Sequence, residues 1–182
     1  LPGIVDSEAD LLRYSHILDL RDVPLSALSR YISCSCSFIN DANAAGLAEI
    51  YGTSSVGNLI YLSLSNSVGG AILTDGTLYM GNHLRAGEFG HNTLVPGGRQ
   101  CYCGKEGCLD AYCSARLLSD QAGGNLTAFF DGLREGDTEK QAVWQEYLKY
   151  LAIAVNNLHM SFDCDVILGG YVGAFLEEFG EP

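Results

Sequence analysis

The sequence is poor in positive charge. Only 10 of its 182 residues are Lys or Arg, against 22 Asp and Glu, and the net charge at pH 7 is -12. An acidic surface repels phosphate backbones, so direct binding of nucleic acid is a poor interpretation of this chain. It also lacks a visible signal peptide and any apolar stretch long enough to cross a bilayer. We therefore expect a cytoplasmic protein that makes no contact with a membrane.

Low-complexity stretches and long charge runs are also missing. Charged residues make up 18% of the chain and apolar residues 47%, a balance that predicts a folded domain rather than a disordered segment. The chain opens on Leu1 instead of Met and stops at Pro182, shortly after the expected start of a helix. Both ends look like cuts, so we expect a fragment of a longer protein.

The apolar pattern mixes strands with helices, which predicts an α/β fold. Asp75-Gly76, between two short apolar runs, is typical of a two-residue hairpin turn. A long helix is expected from residue 138 to about 160, opened by a Thr138-x-x-Gln141 capping box and buried through its second half. The other expected strands are 37–39, 58–64, 70–73 and 165–168, and the other expected helices are 25–32, 44–51 (ended by Gly52), 111–118, 126–133 and one from about 173.

The glycine-rich segment 81–107 has no clear periodicity, and a loop of that length inside a compact domain needs something to hold it. It contains the spacing H-x9-C-x-C-x4-C, and three Cys with one His are a standard ligand set for structural zinc. The odd total of seven cysteines favours a metal site over a disulfide framework. The alternatives are His83 as the histidine ligand and a set of unrelated buried thiols. The predicted ligands are His91, Cys101, Cys103 and Cys108.

Several motifs resemble those of the ROK family (repressors, open reading frames and sugar kinases). Gly87-Glu88-Phe89-Gly90-His91 is similar to its G-E-x-G-H motif, and residues 101–110 to its C-x-C-G-x-x-G-C-L-E motif. Asn40-Asp41-Ala42-Asn43-Ala44-Ala45 is similar to its N-D-x-N-A-A block. The resemblance implies an actin-like ATPase (ribonuclease H-like) fold, mainly its second lobe, with a zinc-bound loop. Residues 1–42 would be a remnant of the first lobe, and 43–182 the second lobe, truncated at its C-terminus.

The resemblance also implies a sugar site. Asp41 would be the catalytic base that takes a proton from a sugar hydroxyl. Without the resemblance, Asp41 before an alanine-rich helix indicates a helix cap, and Glu88 a solvated loop carboxylate. His91 can bind zinc through one ring nitrogen and a sugar through the other. Asp110 stands where the family has Glu, which is one methylene longer. The implied sugar-binding residues are Asn40, Asp41, Glu88, His91 and Asp110.

A second difference from the family lies at the phosphate loop, G-T-G-x-G in ROK kinases. Ser65-Asn66-Ser67-Val68-Gly69 stands in its place, so serines replace two of the three glycines. Side chains there disfavour the loop geometry and crowd a phosphate. We therefore expect a degenerate phosphate site at Ser65, Asn66, Ser67 and Gly69.

A weakened phosphate loop beside an intact sugar site favours the sugar-sensing module of a ROK transcriptional regulator. A sugar or sugar phosphate would bind one arrangement of the lobes better than the other. DNA would be contacted only through an N-terminal domain missing from this chain, and a homo-oligomer is expected from the family. The alternative is an ATP-dependent kinase of hexoses or N-acetylhexosamines, with Mg-ATP against residues 65–70 and the Gly169-Gly170 turn. A zinc-stabilised domain without a sugar ligand is the third interpretation.

Overall fold

A computed structural model describes residues 1–51 and 57–180 and shows two sheets, of three and four strands. Gly52, predicted to end a helix, lies outside the described residues. The strands are β1 (Ile4–Asp6), β2 (Leu11–Ser15), β3 (Leu20–Pro24), β4 (Leu59–Leu64), β5 (Val68–Thr74), β6 (Thr77–Leu78) and β7 (Asp165–Gly169). The helices are α1 (Leu25–Ser29), α2 (Asp41–Tyr51), α3 (Asp110–Cys113), α4 (Ala115–Ser119), α5 (Leu126–Arg134), α6 (Thr138–Phe162), α7 (Gly170–Gly173) and α8 (Leu176–Phe179).

The small sheet is an antiparallel meander in the order β1-β2-β3. Its core is a cluster of Val5, Leu12 and Leu25, separate from the main core. The strand predicted over 37–39 is wrong. That segment contacts the start of the chain through two hydrogen bonds, from the Leu1 amino group to the Ile39 carbonyl (2.8 Å) and from the Ser7 hydroxyl to the Phe38 carbonyl (3.0 Å), and these do not make a strand ladder.

The large sheet has the order β6-β5-β4-β7, with β4 antiparallel to β5 and parallel to β7. The hairpin predicted at Asp75-Gly76 is confirmed. Both residues have positive φ, 50° at Asp75 and 72° at Gly76, as the two-residue turn that suits twisted strands requires.

Helix α2 packs on one face of the large sheet, and α3 to α6 pack on the other. On the α2 face a Cβ at Gly46 would lie 2.8 Å from the Ala71 Cβ, so only glycine lets the helix approach this closely. The opposite face carries the main core, which includes the fully buried Phe129, Phe130 and Tyr147. The sheet therefore holds α2 on one side and the 81–109 loop with its following helices on the other.

Two expectations for α6 are wrong. Asp137 opens the helix instead of a capping box, because its Oδ1 accepts hydrogen bonds from the backbone N–H groups of Glu139 and Lys140 (3.0 and 3.1 Å). The second half is not buried all round, since Ile153 is 41% and Met160 74% exposed. The buried residues of this half are Leu151, Ala154 and Leu158, and the partly buried Val155 also packs on the core. Among the described residues, no helix is long and apolar enough to cross a membrane.

Candidate functional site

The segment 81–109, called the metal loop below, contains only one short 3-10 turn, at Phe89–His91. It is held by its own backbone: the Cys101 N–H bonds the Lys105 carbonyl (2.8 Å), and bridges join Thr93 to Cys108. At Gly107, φ is +77° and a Cβ would lie 1.8 Å from the Val95 carbonyl oxygen, so no other residue fits. The loop therefore folds back on itself and brings distant cysteines together.

The side chains of the four predicted ligands converge. Their ligand atoms all lie within 4.8 Å of one another. The Cys103 and Cys108 sulfurs are 3.7 Å apart, and the Cys101 sulfur is 3.8 Å from Nδ1 of His91. Tetrahedral Zn–S bonds of ~2.3 Å separate two sulfurs by about 3.8 Å, so the donor set fits zinc in both chemistry and spacing. His83, the alternative ligand, is exposed and not part of this cluster.

The pKa shifts of these groups favour the metal-binding protonation state at some of the ligands and oppose it at others. Burial lowers the pKa of His91 and so favours the neutral imidazole that binds metals. Burial raises the pKa of the Cys101 thiol. At Cys103 burial acts in the same sense, but the Lys105 N–H and the neighbouring thiols outweigh it and lower the pKa. A bound cation would be needed to keep all three cysteines as thiolates.

A cavity of about 490 Å³ lies between the small sheet, the start of α2, strand β5 and the metal loop. Two glycines of the loop lie directly against β5. A Cβ at Gly90 would be 2.1 Å from the Val68 carbonyl oxygen, and one at Gly87 would be 2.6 Å from that of Gly70. Of the residues predicted from the sequence, the structure places Asn40, Asp41, Ser67, Gly69, Glu88, His91 and Cys103 on the cavity wall.

Asn40 and Asp41 stand together at the start of α2 with different partners. Asn40 is the helix cap: its Oδ1 accepts from the Asn43 N–H (3.0 Å), and its Nδ2 donates to the Gly3 carbonyl (3.0 Å). Asp41 Oδ1 accepts from the neighbouring Ala42 N–H (3.1 Å), and the side chain is exposed on the cavity wall. The helix cap, the alternative role for Asp41 without the family resemblance, thus belongs to Asn40, and the Asp41 carboxylate borders the cavity.

Glu88 is the second carboxylate of the cavity. Its side chain faces the opening, yet the surrounding protein displaces enough water to raise its pKa, and the charge of Asp41 acts in the same sense. The Arg85 guanidinium opposes both effects. Two carboxylates, the imidazoles of His16 and His91, the Arg85 guanidinium and the Lys105 ammonium thus border one cavity. Such a mixture of acceptors and donors suits a neutral ligand with several hydroxyl groups.

Asp110 differs from the other predicted sugar residues because it does not line this cavity. It is buried, and its Oδ1 accepts a hydrogen bond of 2.6 Å from the Val68 N–H at the start of β5. Burial raises the pKa of Asp110, and the Val68 N–H opposes that shift. The carboxylate therefore joins the end of the metal loop to the turn that precedes β5.

Residues 65–69, called the phosphate turn below, comprise the link from β4 to β5 (65–67) and the first two residues of β5, and they lie between two cavities. Ser67 and Gly69 border the first cavity. Asn66 borders a second cavity of about 410 Å³, which Gly170, Tyr171, Ser119 and Thr127 also line. A Cβ at Gly170 would lie 2.7 Å from Oγ of Ser65, so the phosphate turn and the turn after β7 are in close contact.

The cavity residues Tyr14, His16 and Tyr102 were missed by the sequence reasoning. Tyr102 lies between two predicted ligands, and its neighbourhood was the available signal. No comparable signal pointed to Tyr14 and His16, because an alternating strand pattern does not reveal which loop the strand will face.

The sheet order, the cavity and the turn between β4 and β5 define a class, the sugar-kinase-like proteins with the actin-like ATPase fold. The model of the ROK family matches residues 1–178, and the chain belongs to this family. The predicted α/β, actin-like fold is therefore confirmed.

Three relatives illustrate the range of the family. The chain is 33% identical over 142 residues to the N-acetylmannosamine kinase of Escherichia fergusonii, covering 74% of this chain and 49% of the relative. It is similar to a ROK glucokinase from Streptomyces griseus, solved with glucose and AMPPNP (TM-score 0.81, 26% identity, 93% and 63% covered). It is also similar to a ROK transcriptional regulator, a homologue of the MLC protein of E. coli (TM-score 0.80, 25% identity, 97% and 50% covered). The chain spans about half the length of the curated relatives it matches.

Proposed function

We propose that the chain is the sugar-binding part of an ATP-dependent ROK kinase that phosphorylates a hexose or an N-acetylhexosamine. The observation that carries the proposal is the placement of Asp41, Glu88 and His91 on one cavity, beside a turn that also borders a second cavity. The similarity to N-acetylmannosamine kinase favours this function over the regulator that the serines of the phosphate turn indicated.

In this proposal the sugar lies in the first cavity. Residues 1–42 belong to the first lobe and 43–182 to the second, and both contribute to the wall, through Tyr14 and His16 on one side and Glu88 and His91 on the other. Asn40 and Asp41 stand where the two parts meet. Closure of the parts around the sugar would exclude water from the reacting hydroxyl.

Asp41 is the group placed to accept the proton. An exposed carboxylate at the start of a helix can take a proton from a sugar hydroxyl as its oxygen becomes the nucleophile. Glu88 and His91 would hold neighbouring hydroxyls, which fixes which oxygen meets Asp41. When bound, ATP supplies the phosphoryl group and Mg²⁺ offsets its charge. Asn66 and the Gly170 turn would line the nucleotide side of the site.

Zinc would have a structural role. The ligand atoms of His91, Cys101, Cys103 and Cys108 fit the ion, and none of the three sulfurs is needed for chemistry on a sugar. Held through Nδ1, the imidazole of His91 would keep a fixed orientation towards the cavity.

The second candidate is the sugar-sensing module of a regulator, and one observation favours it. Ser65 and Ser67 occupy positions where a phosphate-binding turn benefits from glycine. A sugar or sugar phosphate would then shift the balance between two arrangements of a homo-oligomer, and an additional N-terminal domain would contact DNA. The structural similarity to a ROK regulator is compatible with this function.

Release of ADP by the full-length protein that contains this chain distinguishes the two. We would measure it with glucose, N-acetylglucosamine and N-acetylmannosamine, and measure binding of the same sugars by calorimetry. A kinase releases ADP only with the sugar it binds. Tight sugar binding without ADP release would support the sensor instead, and the absence of both would contradict both functions.

A further inference from the structure

Tyr102 lies where three separate parts of the chain meet. Its ring stacks on His16, which follows β2, with ring centres 4.8 Å apart and planes 24° apart. Its hydroxyl is 3.4 Å from Nε2 of His91 in the metal loop. Ser67 of the phosphate turn borders the same cavity as Tyr102. The ring borders the cavity and is 41% exposed, so it is accessible to a ligand.

The contact with His91 has a defined polarity when a metal is bound. Nδ1 of His91 faces the Cys101 sulfur and belongs to the donor cluster. A neutral imidazole that binds metal through Nδ1 carries its proton on Nε2. That N–H points at Tyr102 Oη, which therefore accepts from it and keeps its own O–H to donate. The phenol thus lies beside the nitrogen to which the family resemblance gives a sugar contact.

The contact with His16 extends the same row of rings to the small sheet. Nδ1 of His16 is 2.8 Å from the Tyr14 hydroxyl, and the Arg21 guanidinium lies 4.9 Å from the centre of the Tyr14 ring. Tyr14, His16 and Tyr102 all border the cavity. The row therefore crosses one side of the cavity mouth, from the metal loop to β2 and β3.

We propose that Tyr102 closes and completes the sugar cavity: its ring fastens the β2–β3 turn to the metal loop, and its phenol donates a hydrogen bond to the sugar beside His91. The second half of this statement rests on the proposed sugar binding, and the first half does not. Metal binding and ligand recognition are then connected through one hydrogen bond, from the imidazole to the phenol.

Three variants separate the ring from the hydroxyl. Tyr102→Phe removes only the hydroxyl, Tyr102→Ala removes both, and His16→Ala removes the stacking partner. Tyr79→Phe is the matched control, because Tyr79 is exposed and does not border the cavity. Each variant of the full-length protein would be measured for zinc content, for affinity to glucose and to N-acetylmannosamine, and for hydrogen–deuterium exchange of residues 11–24 without ligand.

We expect Tyr102→Phe to weaken sugar affinity about 3- to 10-fold, with zinc content and exchange unchanged, since one neutral hydrogen bond is lost. Tyr102→Ala and His16→Ala should both accelerate exchange in residues 11–24. Wild-type affinity in Tyr102→Phe would overturn the role of the phenol, and unchanged exchange in His16→Ala would overturn the role of the ring. If the wild-type protein binds neither sugar, the proposed function fails together with the role of the phenol, while the exchange data still decide the role of the ring.

Discussion

The metal loop and the phosphate turn border the same cavity and are held in place in different ways. The metal loop has almost no regular secondary structure. Its shape depends on glycines, on hydrogen bonds between its own backbone groups and on four converging ligands. The phosphate turn is short and follows from the pairing of β4 with β5, whose register runs from Leu59–Leu73 to Leu64–Val68. The loop therefore depends on glycine at fixed positions, whereas the turn keeps its backbone with serine at 65 and 67, neither of which has a positive φ.

The largest effect is expected at Asp41, which borders the cavity that both regions share. Asp41→Asn keeps the size of the side chain and removes the base. We expect kcat for sugar-dependent ADP release to fall about 100- to 10,000-fold, the range that general-base catalysis contributes. Sugar affinity, measured by calorimetry, should change much less. A variant with full activity would exclude Asp41 as the base.

The metal loop should depend on each of its ligands. Cys103→Ser is expected to weaken zinc affinity more than about 100-fold, because losing a ligand costs more than losing one of its hydrogen-bond partners. Metal content after dialysis against a chelator measures this, and thermal unfolding with and without chelator measures the loss of stability. Cys36→Ser, an exposed thiol outside the cluster, is the control. Equal zinc content in both variants would contradict the metal site.

We expect the Glu88 carboxylate to lower the stability of the folded protein at pH 7 and to raise its affinity for a sugar. Its raised pKa means that the folded chain holds this proton more tightly than the unfolded chain, so the contribution to stability is present below the ordinary value of 4.5 and is lost as pH rises through the raised pKa. Glu88→Gln should therefore raise the unfolding temperature at pH 7 and leave it nearly unchanged at pH 4. Sugar affinity should fall about 10-fold or more, because bonds to a charged group are lost. A Glu88→Gln variant that unfolds at a lower temperature than the wild type at pH 7 would disprove that folding raises the pKa of Glu88.

The hydrogen bond from the Val68 N–H to Asp110 connects the end of the metal loop to the phosphate turn. Variants of Asp110 measure how much this bond contributes to stability. Asp110→Ala leaves the Val68 N–H buried without its acceptor, which should lower the free energy of unfolding by about 1–3 kcal/mol. Asp110→Asn keeps an oxygen at the same position and should lose less. Denaturant unfolding of the two variants gives the comparison. Equal losses would mean that the negative charge matters more than the hydrogen bond.

The smallest effect is expected at the phosphate turn. Asn66 is exposed at the second cavity, so Asn66→Ala should raise KM for ATP about 3- to 10-fold through the loss of one hydrogen bond. Sugar affinity should stay at the wild-type value. An equal change in KM for ATP and in sugar affinity would show that the turn does not separate a nucleotide site from a sugar site.

The elements that could be predicted are those fixed by local chemistry. The Asp75-Gly76 hairpin and the convergence of His91 with the cysteines both follow from residues close in sequence, whose spacing and backbone freedom leave few alternatives. The exposure of Met160 could not be predicted, because periodicity reports which face of a helix is apolar and not how much of it the fold covers. The positions of His16 and Asp110 depend on contacts between distant segments, which the pattern along one chain does not contain.

The close contact of Gly87 and Gly90 with β5 limits how this protein can change its ligand. On that side of the cavity, the backbone at Gly87 and Gly90 lies against the backbone of β5, so neither position has room for a side chain that could adjust the spacing between Glu88 and the sheet. Even one added methyl group would lift the segment and carry Glu88 and His91 away together. In the proposed sugar site, a change in ligand preference is therefore expected on the opposite side, where Tyr14 and Ile17 offer side chains that substitution can reshape.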